Sequence, residues 1–214
     1  SARGLCEKSI RKLVNKTYFE NLNYDKYKNT MALTKLLTYM RKKKYKGHVV
    51  LAYSDSMKSI VQWYRQLWAE SLGKKGKGLH FIQASGAVDQ HSQLQMWLDG
   101  PNDLVFTVII PKKRKKEYFI TDKKKNLSKS LKNKKMGYIL NTMAEATIKE
   151  LISAGRQVRV IYLNDDSIDS AIKLMATLML EVPILCKALN INAFDQPEVE
   201  KVKLRTKKLL NNNA

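Results

Sequence analysis

Three segments far apart in the chain carry side chains able to do acid–base chemistry. Gln66-Leu67-Trp68-Ala69-Glu70-Ser71-Leu72-Gly73-Lys74 supplies a carboxylate and Asp89-Gln90-His91-Ser92-Gln93 an imidazole. Phe194-Asp195-Gln196-Pro197, followed by Lys203, supplies an amide and an ammonium. Moving a proton between carbons beside a carbonyl needs one carboxylate base and a second acid–base group. It also needs donors or cations around the developing oxyanion.

Each residue also has a plainer reading. Glu70 falls near the end of a run of helical spacing, where burial would raise its pKa toward a useful range. Gln66 lies one turn earlier on the same face, within reach of the same ligand. Spacing alone favours an ordinary surface glutamate at a helix end, with Lys74 as its i,i+4 partner. His91 follows Asp89 and Gln90 where a helix N-terminus is expected, and an imidazole there can act as acid and base near neutral pH. A satisfied structural histidine fits the same pattern. Gln196 and Lys203 are seven residues apart, two turns of one helical face. Lys203 is one lysine among many, and His48 and His80, which open strand candidates, receive no role.

The elements that must position these residues alternate in type. His48–Tyr53 is a compact apolar run after Gly47, as in a buried parallel strand. Ser54-Asp55-Ser56 offers an N-cap to a helix from Met57 to Leu72, ended by Gly73. Further strands are expected at 79–82, 104–110 and 157–163. Helices are expected at 10–19, 31–44, 88–98, 135–154, 167–189 and 198–210, with Pro183 a candidate kink. Strands alternating with helices of this length imply an α/β fold, a doubly wound parallel sheet flanked by helices. Residues 1–29 read as a helical lead-in, 30–190 as the α/β domain, and 191–214 as a C-terminal helical tail.

Composition bounds the remaining classes. A chain of 214 residues with 44% hydrophobic residues can bury one sizeable core. No run reaches the roughly 18 apolar residues of a membrane span, since 171–189 is broken by Lys173, Glu181 and Pro183. No signal peptide is expected, and Cys6 and Cys186 read as unpaired thiols suited to a reducing cytoplasm. The net charge is +21, and residues 112–135 hold twelve Lys or Arg against Glu117 and Asp122. That segment resembles a nuclear-import signal, a motif of low specificity, and reads more simply as a solvated, flexible insertion. Only Tyr118 and Phe119 interleave with its charge, so nucleic acid is not an expected partner, and a basic binding module stays a minor alternative.

Taken together, the three segments resemble the C-terminal half of the glucose-6-phosphate isomerase family. The similarity runs from Tyr53 through Thr107, with Trp63–Lys74 and Val88–Gln95 closest, resumes over Leu140–Arg156, and finishes with Asn192-Ala193-Phe194-Asp195-Gln196-Pro197. The resemblance implies a sugar-isomerase-type domain within a cytoplasmic homodimer, working without metal or nucleotide cofactor. It implies that Glu70 is the base shuttling the proton between C2 and C1. It further implies that His91 assists ring opening from the neighbouring subunit, that Lys203 contacts the sugar near its ring oxygen, and that Gln66 and Gln196 line the pocket.

Some family features are absent. Glu198 and Val202 stand where the family has glycines. The Ser/Thr-rich phosphate loop and the Gly-Gly-Arg type segment are not found between Ser1 and Lys46. The expectation is therefore a C-terminal portion of such an enzyme lacking the phosphate-binding half. A sugar-phosphate-sensing domain without turnover is the alternative.

Overall fold

The computed structural model describes residues 35–212 except 43, 121–127 and 129. The expected helix at 10–19, Cys6 and part of the basic insertion lie outside the described residues. A helical stretch at 35–41 leads into β1 (Gly47–Ala52). Then follow α1 (Lys58–Leu72), β2 (His80–Ser85), two short helices α2 (Val88–Ser92) and α3 (Leu94–Asp99), and β3 (Leu104–Lys113). The chain continues through α4 (Met136–Ser153), β4 (Gln157–Asp165), α5 (Ile168–Ala188) and α6 (Pro197–Asn212). The four strands are parallel, in the order β2-β1-β3-β4.

β1 explains the layering. All six of its residues are buried, so both faces of the sheet must be covered. Successive side chains point to opposite faces. Val50 and Ala52 join Ile60, Tyr64 and Trp68 of α1 and Leu174, Leu178 and Val182 of α5 in one core layer. Val49 and Leu51 join Trp97 of α3 and Ala144, Ile148 and Leu151 of α4 in the other. Right-handed crossovers to the two sides of β1 put α1 and α4 on opposite faces, the doubly wound arrangement the alternation predicts.

Two buried polar groups stitch the first layer. His48, fully buried, meets Thr107 Oγ1 through Nε2 at 2.8 Å and packs its ring 4.7 Å from Trp68. Arg159 on β4 makes two parallel bonds of 2.7 Å to Glu181 of α5, whose Oε1 also accepts from the Tyr64 hydroxyl at 3.3 Å. The fork pairing satisfies a carboxylate that is only 4% exposed.

Local details differ from the sequence reading. The helix expected from Met57 starts with a 3-10 turn at Asp55–Met57, and Ser54 bonds Ser56 Oγ at 2.8 Å instead of capping it. The helix expected at 88–98 is two helices broken at Gln93, whose φ of −124° leaves the helical region. His91 therefore sits in the last turn of α2, not at a helix N-terminus. β3 runs on through Pro111 to Lys113, because β4 continues pairing with it as far as Asp165. The basic segment is in part structured, with an antiparallel bridge between Phe119 and Lys135. Pro183 lies inside α5 without ending it.

Burial, reinforced by Arg159, holds the His48 pKa down to about 3, against about 6.5 in an unfolded chain. The folded state thus binds fewer protons than the unfolded one between those values. The stability of the neutral imidazole is present above pH 6.5 and is lost as pH falls toward 3. Between pH 7 and pH 4 this one group should remove about 3 kcal/mol. Chemical denaturation across that range should show a shallower decline for His48→Gln than for the wild type. Parallel curves would mean that His48 does not carry the effect.

Candidate active site

In a parallel α/β sheet each helix returns to where its strand began. α1 runs against β1, so its C-terminus lies at the amino ends of the strands. Trp68 Nε1 accordingly donates to Leu79 O at 2.8 Å, just before β2 starts. Glu70 is half-buried there, and Gln66 Nε2 donates to its Oε1 at 2.9 Å. The i,i+4 geometry thus joins the two residues the sequence placed on one face. The bond occupies one carboxylate oxygen and leaves the other for a ligand.

Lys74 was expected to pair with Glu70 in the plainer reading. Its ammonium instead reaches Asn192 O at 2.6 Å and Asp195 at 2.9 Å, with only 12% of the side chain exposed. This ties the Asn192–Gln196 segment to the C-terminus of α1. α5 brings that segment to the same edge, because it runs back along the sheet from the end of β4. Lys77 Nζ donates to Leu189 O at 2.5 Å and Arg41 Nη2 to Ala188 O at 2.7 Å, so cations satisfy the carbonyls at the end of α5. Gln66, Glu70 and Gln196 therefore share the amino edge of the sheet.

His91 lies at the other edge. Gly86 N donates to Ala52 O at 2.7 Å, placing the start of α2 at the carboxyl ends of β1 and β2. Asp89 organises this turn, accepting from Ser85 N at 2.6 Å and Ser92 Oγ at 2.8 Å. Gln90 turns inward and bonds Thr147, whose hydroxyl also accepts from Tyr53 OH at 3.0 Å, while His91 is exposed. Six strand residues at about 3.3 Å each put roughly 20 Å between the edges, so one copy of this fold does not bring Glu70 and His91 together. Lys203 is exposed on α6 and pairs with Glu200 at 2.6 Å. Every residue of α6 from Pro197 to Asn211 is exposed.

Lys74, read from the sequence only as a partner of Glu70, and Arg114 were not expected to hold the edges together. Lys74 stood inside the most telling motif, but only the fold reveals its reach across to Asp195. Arg114 is hidden in a basic run. Its guanidinium donates to Pro111 O at 2.8 Å, Tyr53 O at 2.7 Å and Asn141 Oδ1 at 2.9 Å, bracing the carboxyl ends of β1 and β3. Cys186 is buried against Ser71 O, and burial raises its thiol pKa. Among the described residues no group of three His, Cys, Asp or Glu is placed to hold a metal ion, and no helix is long and apolar enough to cross a membrane.

Lys74 also keeps the Asp195 carboxyl below its usual pKa. Lys74→Ala should therefore speed amide hydrogen exchange across residues 192–196 while the melting temperature hardly moves. Unchanged exchange there would show that the ion pair does not hold the segment.

No family model matches the chain. Curated relatives do. A glucose-6-phosphate isomerase of Rubrobacter xylanophilus is 34% identical over 154 residues, covering 71% of this chain and 36% of that protein. One from Campylobacter jejuni is 37% identical over 190 residues, 86% of this chain and 47% of the relative. Among solved structures, a hypothetical protein from Thermus thermophilus superposes with a TM-score of 0.78 at 31% identity, over 84% of this chain and 44% of its own. A glucose-6-phosphate isomerase from Chlamydia trachomatis, at 16% identity and a TM-score of 0.67, shares the fold over 78% of this chain and 35% of that one. The chain is homologous to glucose-6-phosphate isomerases along most of its own length, and spans less than half the length of those relatives.

Proposed function

We propose that this chain is the C-terminal portion of a glucose-6-phosphate isomerase, interconverting glucose 6-phosphate and fructose 6-phosphate. The observation that carries this reading is the Gln66–Glu70 pair on the amino edge, beside the Asn192–Gln196 segment anchored by Lys74. Glu70 would take the proton from C2 of the open-chain aldose and return it to C1, with Gln66 fixing the carboxylate. His91 would open the ring, and Lys203, released from Glu200, would stand near the ring oxygen. Gln196 would line the pocket. The phosphate would be held by the part of the relatives that this chain does not span.

The separation of Glu70 and His91 supports a site shared between two copies of the chain in a homodimer, each contributing one of them. With an upstream-extended protein in a fructose 6-phosphate assay, Glu70→Gln and His91→Gln should each lower kcat about 10²–10⁴-fold. Mixing and refolding the two inactive variants should restore roughly a quarter of the wild-type activity, because half the dimers are mixed and each has one intact site. No recovery on mixing would place both residues in one subunit or neither in the site. Sugar-phosphate binding without turnover in the extended protein would mark a sensing domain instead.

A further inference from the structure

The proposed isomerase chemistry uses no residue of the basic stretch between β3 and α4, and the fold adds Tyr138 and Tyr162 from the flanking elements to the stretch's own Tyr118 and Phe119. Tyr118, Phe119, Tyr138 and Tyr162 are 67%, 58%, 58% and 53% exposed. Three of these rings have a lysine ammonium over them. Lys135 lies 5.8 Å from the Phe119 centroid, Lys134 5.3 Å from that of Tyr138, and Lys112 5.7 Å from that of Tyr162. Singly exposed rings are common, but three ring–ammonium pairs along one edge of a sheet are a pattern.

The frame beneath them is built. Ile120 N donates to Lys134 O at 3.0 Å and Met136 N to Tyr118 O at 2.8 Å, making a short antiparallel ribbon. The adjacent lysines 134 and 135 thereby tie Phe119 on the ribbon to Tyr138 on the first turn of α4. Lys115 N donates to Asp166 Oδ1 at 2.8 Å, fastening the basic run to the end of β4, which carries Tyr162. The nearby carboxylates already have partners. Glu117 accepts from Gly137 N at 3.3 Å, and Asp165 from Ser167 N at 3.0 Å and Ser170 Oγ at 2.7 Å. These carboxylates remain anions, but among the described residues the lysines and arginine of 112–116, 134 and 135 outnumber them.

We propose that this edge binds single-stranded nucleic acid. Lys112, Lys134 and Lys135 contact backbone phosphates, and Phe119, Tyr138 and Tyr162 stack unpaired bases. Stacking accepts every base, so binding is tolerant of sequence. Duplexes, whose bases are already stacked, bind less well. A lipid surface fits less closely, because Phe119, Tyr138 and Tyr162 sit on a ribbon, a helix and a strand and not on the single apolar helix face that enters a bilayer boundary. The surface lies at the carboxyl ends of β3 and β4, the same side of the sheet as His91 but on the opposite half from β2, and none of its residues belongs to the proposed isomerase site.

The test is fluorescence anisotropy with a labelled oligothymidylate of about 20 nucleotides, beside co-sedimentation with phosphatidylserine vesicles. The chain should bind the oligonucleotide and weaken at least about tenfold between roughly 50 and 200 mM salt. Phe119→Ala with Tyr138→Ala leaves the charge unchanged and should weaken binding about tenfold or more. Phe119→Tyr with Tyr138→Phe, which keeps both rings, should bind like the wild type. Lys207→Gln with Lys208→Gln, on the exposed face of α6, should change affinity less than about threefold. Absence of binding overturns the proposal, as does equal loss in the α6 variant with none in the alanine pair. Vesicle binding without oligonucleotide binding overturns it in favour of a membrane surface.

Discussion

The burial of β1 on both faces is the constraint from which the rest follows. A strand with Val49 and Leu51 on one side and Val50 and Ala52 on the other cannot face water anywhere. Covering it takes helices above and below, and parallel neighbours take crossovers long enough to supply them. The core divides into two layers that meet only through the sheet, with α1 and α5 on one and α3 and α4 on the other.

That constraint also sorts the chemically useful residues by edge. A residue just after a strand is carried to the carboxyl edge, and one at the end of the following helix is carried back to the amino edge. His91 belongs to the first kind, and Glu70 and the Asn192–Gln196 segment to the second. An antiparallel meander would not impose this split. Within one copy of the fold the edge carboxylate and the opposite-edge imidazole stay roughly 20 Å apart.

The amino edge is organised by lysines as structural cations. Lys74 and Lys77 satisfy carbonyls just beyond α5, and Arg41 another at its last residue, where the helix dipole favours positive charge. At the carboxyl edge the basic residues do something different, with ammonium groups standing over exposed rings. Part of the +21 charge is thus internal bracing, and another part is a surface with its own geometry.

The sequence by itself determined the alternation of strands and helices, the placing of Gln66 and Glu70 on one helix face, and the residue types of the three motif segments. These are local properties, set by periodicity, turn residues and one-turn spacing. It did not show the break at Gln93 or the extension of β3 to Lys113, because a backbone angle and a neighbouring strand's length decide those. Only the tertiary structure decided that Lys74 serves Asp195 and not Glu70, that Arg114 braces two strand ends, and that Tyr138 and Tyr162 join the basic stretch. Each of these depends on which segments the crossovers bring to the same edge, a relation between residues tens of positions apart that no local spacing encodes.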